Sequence, residues 1–297
     1  MSSRWFEFGG DTLIRTDRYI RLTSDQLSQS GWIFSRAPLT ATDWEIEIEF
    51  AIHGAGSLHG DGFAMWLTKD RASPGPVFGH KDEFEGLGVF FDTYKNKRPG
   101  VVFPYVMAMM GDGRTKYDQT NDGKANEIGG CSVGIQIGQV LSSGALMAES
   151  WQARQLRGAS IPTKAKVIYL QDQSLTLQLS YTVENEWITC FSVEPTDTQP
   201  LKLPNAVYLG FSAQTGDLSD NVDIVNVVSN RLYPASVSGG SPAARQESNM
   251  RKNTRKGKKA SKEGWTWFLI KSIIVIGVVV GVYFGYTAYR TSKRSRF

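Results

Sequence analysis

The stretch WEIEIEFAI (residues 44–52) alternates apolar and acidic residues without a break. Successive side chains of a strand point to opposite faces, so a period of two gives a strand with one face in a core and one in water. SLTLQLSY (174–181) repeats the pattern, and KVIYLQD just before it supplies a hairpin partner. GLGVFF, VVFPYVMAMM and AVYLGFSA are more continuously apolar, as strands buried on both faces or packed under a loop would be. No stretch before residue 234 carries an apolar stripe of helical period and length. Many short strands, with Gly, Pro, Asn and Asp between them, predict an all-β sandwich of about 230 residues.

The chain has 297 residues, 41% of them hydrophobic, with eight tryptophans, which is enough for a sizeable core. Its net charge of +4 conceals an asymmetry. From Arg251 onward there are twelve Lys/Arg and one acid, Glu263, which leaves 21 basic against 28 acidic residues before it. The body is acidic and no nucleic-acid partner is expected. Its C-terminal appendage is strongly basic.

That appendage carries the membrane signal. SIIVIGVVVGVYFGYTAY (272–289) is uncharged, and WTWFLI before Lys271 extends it, so a transmembrane helix is expected over 265–289, with membrane lipid as its surroundings. Within it Gly277, Gly281 and Gly285 form a small-residue stripe that would let two such helices pair as a homo-oligomer. Residues 234–264 are small and polar, then basic, and read as a flexible stalk without heptads. Residues 290–297 form a short basic tail. Seven basic residues between Arg251 and Lys262 outnumber the four of the tail, and this count alone would place the large domain in the cytosol. The first ten residues contain no apolar signal-peptide core.

Three histidines (His53, His59, His80) and two cysteines (Cys131, Cys190) have no zinc-like spacing, and no glycine-rich phosphate loop is present. DQTNDG (118–123) begins like an EF-hand loop, but its twelfth position is Gly129 rather than Glu. Oxygen ligands are concentrated in two places. Asp92 and Asn96 share one side of an extended segment with the Tyr94 carbonyl between them, and a second loop offers Asp118, Asn121 and Asp122. Two such loops can supply the six to eight hard oxygens that calcium takes. Ordinary turn residues would give the same composition. Glu45, Glu47 and Glu49 form an acidic row on one strand face, as in sandwich-fold glycoside hydrolases. No aromatic residue alternates with them to stack on a sugar, and a solvated strand face is the plainer reading.

Taken in order, HGDGFAMWLTKD, PGPVFG, GLGVFFDTYKN, VFPYV, YDQTNDG, ENEWITC and QTGDLSDN resemble the luminal domain of the L-type (legume-lectin-like) cargo lectins of the early secretory pathway, most closely the vesicular integral-membrane lectin group. The likeness runs from about residue 5 to 232. It implies a jelly-roll β-sandwich that binds calcium and high-mannose N-glycans and makes or breaks no bond. Carried over by position, Asp92, the Tyr94 carbonyl, Asn96 and Asp122 would hold Ca2+. Asp61, Asn96 and Gln119 would face the sugar, with Gly216, Asp217 and Leu218 closing over it. Two positions depart from the family pattern: Gln119 stands where a His is usual, and Trp32 aligns with a Ser near the sugar.

The resemblance also implies a Cys131–Cys190 disulfide, which needs an oxidising compartment. Disulfide and calcium together argue for a luminal domain, against the positive-inside count. On this likeness the chain starts near where relatives begin after signal cleavage. The tail RTSKRSRF is similar to those that engage vesicle coat proteins, though it lacks a dilysine signal and would serve equally as a stop-transfer cluster. The leading expectation is a calcium-dependent membrane lectin that escorts high-mannose glycoproteins between ER and Golgi. The alternatives are a lectin-fold interaction protein that has lost sugar binding and a membrane-anchored glycoside hydrolase.

Overall fold

Fourteen strands form the described part of the chain: β1 (Phe6–Gly10), β2 (Leu13–Arg15), β3 (Tyr19–Thr23), β4 (Ser30–Ser35), β5 (Asp43–His53), β6 (Gly62–Thr68), β7 (Glu85–Asp92), β8 (Tyr105–Asp112), β9 (Gly129–Ser132), β10 (Thr163–Leu170), β11 (Ser174–Ser180), β12 (Ile188–Val193), β13 (Tyr208–Gln214) and β14 (Asn221–Arg231). The computed structural model describes residues 3–56, 59–133, 156–159 and 161–233, all within the unit Met1–Tyr233. One short 3-10 turn, Gln119–Asn121, interrupts the strands. The stalk, the expected membrane helix with Gly277, Gly281 and Gly285, and the tail lie outside the described residues. Among those described, no helix is long and apolar enough to cross a membrane.

The strands make two seven-stranded antiparallel sheets, ordered β1-β4-β13-β6-β7-β8-β9 and β12-β11-β10-β5-β14-β3-β2. β5 alternates as its sequence requires. Trp44, Ile46, Ile48, Phe50 and Ile52 are buried, and the intervening acids are half-buried on the outer face. β10 and β11 form the expected hairpin, with Val167 opposite Leu177.

The inner faces of the sheets enclose the main core, which includes a cluster of Phe63 stacked on Phe91 at 4.5 Å with Phe50 edge-on to both. β6 and most of β7 and β8 are buried on both faces because the first sheet carries a second core on its other side. There Phe34, Trp66, Phe84, Phe90 and Met109 meet Val77, Phe78 and Tyr117, which come from the long connections either side of β7 and β8. Parity therefore could not sort these strands into inner and outer residues, since both sides are apolar. Cys131 of β9 and Cys190 of β12 form a disulfide (Cα–Cα 5.3 Å) that ties the edges of the two sheets together.

Candidate functional site

Antiparallel order brings the end of β13, the start of β6 and the end of β7 to one margin of the first sheet. Gln214, Asp61 and Asp92 therefore arrive side by side, with Gly62 paired to Asp92. Gly62 has φ +108, and a Cβ there would sit 2.0 Å from the Phe91 carbonyl, so only glycine allows this approach. The Thr93 N–H donates to the Asp61 carbonyl (3.1 Å), which fixes the two chain turns against each other. A cavity of about 330 Å³ opens here, lined by Asp61, Asp92, Asn96, Gln119, Asp122 and Gln214 over the apolar Val77, Phe78 and Tyr117. A larger cleft of about 750 Å³ opens between the sheets beside Ile14, Ile20 and Phe211. It is mainly apolar, whereas the smaller cavity concentrates polar groups and is the candidate site.

Asp92 is 5% exposed and its carboxylate accepts one hydrogen bond, from the Tyr94 N–H (3.0 Å). Burial, reinforced by Asp122 and Asp61, pushes its pKa well above the usual carboxylate range. Burial and Asp217 raise Asp61 as well, and burial together with Asp92 and Asp122 raises the Tyr117 phenol. Asp122, also buried, takes the left-handed backbone conformation and accepts from the backbone N–H of Asn96 (3.1 Å) and of Arg98 (3.3 Å) and from Asn96 Nδ2 (2.5 Å). Beneath it the buried Arg98 donates to the Asp122 carbonyl (3.0 Å), pairs with Glu127 and lies over the Tyr105 ring. Arg98 is thus committed elsewhere, and no Lys or Arg pairs with the Asp92 or Asp122 carboxylate among the described residues.

Two buried acids facing one cavity, with the Asn96 amide beside them, are hard donors of the kind calcium takes, while Tyr94, the remaining expected ligand, is exposed and does not line the cavity. The cavity lining contains no His or Cys, the softer ligands that transition metals favour.

The other expected residues fall around this centre. Gln119 lines the cavity and donates through Nε2 to the Pro76 carbonyl (3.3 Å). Gly216, Asp217 and Leu218 stand on the rim rather than the wall: a Cβ on Gly216 would lie 3.8 Å from Asp61 Oδ2, and Leu218 approaches Gly60 beside Tyr94. Asp118 and Asn121 do not reach the cavity. Asp118 instead caps the 3-10 turn, accepting from the Asn121 N–H (3.2 Å).

Trp32 requires a correction. It sits in β4 opposite Ser212, with its ring packed over Gly9, and it does not line the cavity. The serine that approaches the rim is Ser28, whose N–H donates to the Gly216 carbonyl (3.2 Å). The acidic row of β5 is bridged by a lysine, with Lys166 Nζ 3.4 Å from Glu47 and 4.0 Å from Glu45 and seated over Trp187. It is not a pair of opposed carboxylates flanking a scissile bond. His80 is a core residue between Trp66 and Phe34. Val77, Phe78, Tyr117 and Gln214 were not anticipated, and only PGPVFG, a Pro/Gly stretch carrying two large apolar residues, hinted at a loop folded onto the sheet.

The chain is thus a two-sheet antiparallel sandwich whose loops gather buried acids, an asparagine and a polar cavity at one margin of a sheet, an architecture it shares with lectins. The chain belongs to the legume-like lectin family, whose model matches residues 2–239. It is 36% identical over 277 residues to an L-type lectin-like domain-containing protein of Schizosaccharomyces pombe, covering 93% of this chain and 80% of that one. It is 38% identical over 230 residues to the VIP36-like protein of Bos taurus, covering 76% of this chain but 58% of the relative. Among solved structures it resembles the exoplasmic/lumenal domain of VIP36 in its Ca2+/Man3GlcNAc-bound form, with TM-score 0.66 and 34% identity over 82% of this chain and 89% of that one.

Proposed function

We propose that this chain is a calcium-dependent lectin for high-mannose N-glycans, anchored in membranes of the early secretory pathway. The observation that carries the reading is the meeting of Asp92, Asn96 and Asp122 with Asp61 and Gln119 around one cavity. The Ca2+- and glycan-bound VIP36 domain supports it by likeness. Asp92, Asn96, Asp122 and the Tyr94 carbonyl would hold the ion, which supplies charge neutralisation and loop order. A hard cation takes an amide through its oxygen, so Asn96, whose nitrogen now donates to Asp122, would turn its amide over on loading. Asp61, still an acceptor, and the Asn96 and Gln119 amides would then hydrogen-bond mannose hydroxyls, with Gly216, Asp217 and Leu218 at the rim. Fixing these groups beforehand lowers the ordering cost that weak sugar binding must meet.

The rest of the architecture is part of the same proposal: a luminal domain over 1–233, a stalk over 234–264, one membrane helix over 265–289 and a cytosolic tail over 290–297. Glycoprotein cargo would be held in the lumen between ER and Golgi while the tail meets coat proteins, and Gly277, Gly281 and Gly285 would allow helix pairing. A second reading, a lectin fold kept for protein contacts, rests on Gln119 in place of the imidazole.

Calorimetric titration of the oxidised full chain with a branched high-mannose glycan, in calcium and in chelator, tests both. Weak binding that disappears with the metal and in Asp61→Ala is expected. A chain that calcium stabilises but that gives no heat with glycan would reject the first reading in favour of the second.

A further inference from the structure

Behind the cavity rim three connections converge, represented by residues 24–29, 54–56 with 59–61, and 215–220. They are joined by a buried ionic node. Asp220 is fully buried, and both its carboxylate oxygens accept from Arg157 Nε (2.9 and 3.0 Å). Arg157 Nη2 donates onward to the Gly56 carbonyl (2.9 Å). Arg157 is itself held to the second sheet, bridging in parallel to Ile52 while the Gly158 N–H donates to the Ile52 carbonyl (2.8 Å). The Thr23 hydroxyl donates to the Asp220 carbonyl (3.1 Å). On the flank, Asp25 accepts from the Ala55 N–H (2.8 Å) and the Ser219 hydroxyl (2.7 Å). Gly54 passes so close that a Cβ would fall 2.5 Å from Asp220 Oδ1 and 3.1 Å from Arg157 Nη2.

The node therefore links the connection that carries Asp61 to the one that carries Gly216, Asp217 and Leu218. Arg157 touches neither the cavity nor its wall. We propose that Arg157 and Asp220 are positioning residues for sugar binding, a clasp that fixes the spacing of these two loops without contacting the sugar. The inference rests on the lectin reading above. A buried salt bridge is weak evidence for global stability but, when a guanidinium is held by both carboxylate oxygens and a backbone carbonyl, it restricts geometry strongly. Loops ordered in advance bind a weak ligand better than loops that must order on contact.

The clasp also has a pH signature. Arg157, Asp25, His53 and His59 are the charged or titratable groups facing Asp220, and burial pushes its carboxyl up to about 6 against the pull of Arg157. A carboxyl raised in the folded state takes up protons on acidification without loss of global stability. What weakens as pH falls through about 6 is the hold on Arg157, and with it the loop spacing.

The test uses the full chain in calcium with mannobiose as probe. Arg157→Gln and Asp220→Asn should each weaken mannobiose binding about tenfold or more at pH 7.5, by analogy with the outer partners of metal ligands. Calcium affinity should be unchanged. Arg157→Lys, a point charge without the fork, should recover part of the loss. Amides of residues 59–61 and 216–218 should exchange faster in both variants. The fall in affinity of the wild type between pH 7 and 5 should be shallower in Asp220→Asn. The double variant Arg157→Gln/Asp220→Asn leaves no unpaired charge and guards against simple misfolding. A folded double variant that binds mannobiose like the wild type, or unchanged exchange in both loops, would overturn the clasp. A wild type that binds no mannobiose would sink the lectin reading and the sugar role with it, and amide exchange would still decide whether the pair holds the loops.

Discussion

Replacing Asp92 with Asn separates the charge of the site from its shape. The side chain is 5% exposed, accepts one hydrogen bond from the Tyr94 N–H and has no ion-pair partner among the described residues. Asn keeps an oxygen for that bond, which is worth about 1 kcal/mol net. It also removes an anion disfavoured by burial and by Asp122 and Asp61. In chelator, therefore, Asp92→Asn should melt no lower than about 1 kcal/mol below the wild type, and above it if relief of the buried charge prevails. Calcium should then separate the two proteins. At a hundredfold excess over its Kd a ligand adds about 2.7 kcal/mol to the wild type, and a domain of this size gains about 2–4 °C per kcal/mol, so a rise of about 5–11 °C is expected. The variant should show almost none. Scanning calorimetry of the full chain, with calcium and with chelator, reads all four values. A full calcium shift in Asp92→Asn would refute the ligand assignment, and a loss of several kcal/mol in chelator would refute the account of Asp92 as an acid held against its preference.

Other consequences can be checked separately. Cys131→Ser with Cys190→Ser opens a loop of 59 residues and should cost about 4 kcal/mol by chain entropy, read by chemical denaturation with and without reductant. Arg98→Met strands Glu127 and the Asp122 carbonyl and should cost about 3 kcal/mol and weaken calcium binding, while Arg98→Met/Glu127→Gln should regain part of the stability. His80 is buried between Trp66 and Phe34, and burial lowers its pKa to about 4. A base depressed in the folded state stabilises it above its unfolded pKa and loses that contribution as pH falls, so about 3 kcal/mol should disappear between pH 6.5 and 4. His80→Phe should flatten the dependence of Tm on pH across this window.

Legibility followed the range of the interactions. WEIEIEFAI could be assigned to a half-buried strand because its period is written in nine consecutive residues, and the structure keeps it throughout β5. β6 and β7 gave no parity, since their second face is covered by Val77, Phe78 and Tyr117 from distant loops. Asp92 and Asn96 could be singled out because they are four residues apart, although β7 ends at Asp92 and Asn96 lies in the bend just after it rather than on an extended segment. Asp122 could not be separated from Asp118 and Asn121 by composition, and only the family likeness chose it. The distinction is conformational. Asp118 caps a turn, while Asp122 in the left-handed region aims its carboxylate back at Asn96. Trp32 was misplaced for a related reason. Trp32 stands four residues beyond Ser28, inside β4 and away from the sheet margin where the rim lies, and Ser28 just before β4 occupies that margin instead.

The acid at the mouth of an apolar strand then has a physical explanation. β7 is clamped between two cores, with Phe91 stacked on Phe63 on one side and Phe90 packed against Trp66 and Tyr117 on the other. A strand fixed in this way cannot swing Asp92 out to water. Asp122 is fixed as firmly by the backbone donors of Asn96 and Arg98. Packing energy distributed over the aromatic residues thus holds two carboxylates together against burial and mutual repulsion, and a cation arriving between them would meet both carboxylates already in place, with only the Asn96 amide left to turn. The same logic applies at the rim, where Arg157 and Asp220 hold the loops from behind. Sugar hydroxyls offer little binding energy beyond what water already provides, so selectivity of a lectin must come from acceptors and donors that cannot rearrange to suit another ligand. On the proposed lectin reading, the residues that decide affinity would extend beyond Asp61 and Asn96 to those that hold their loops in place.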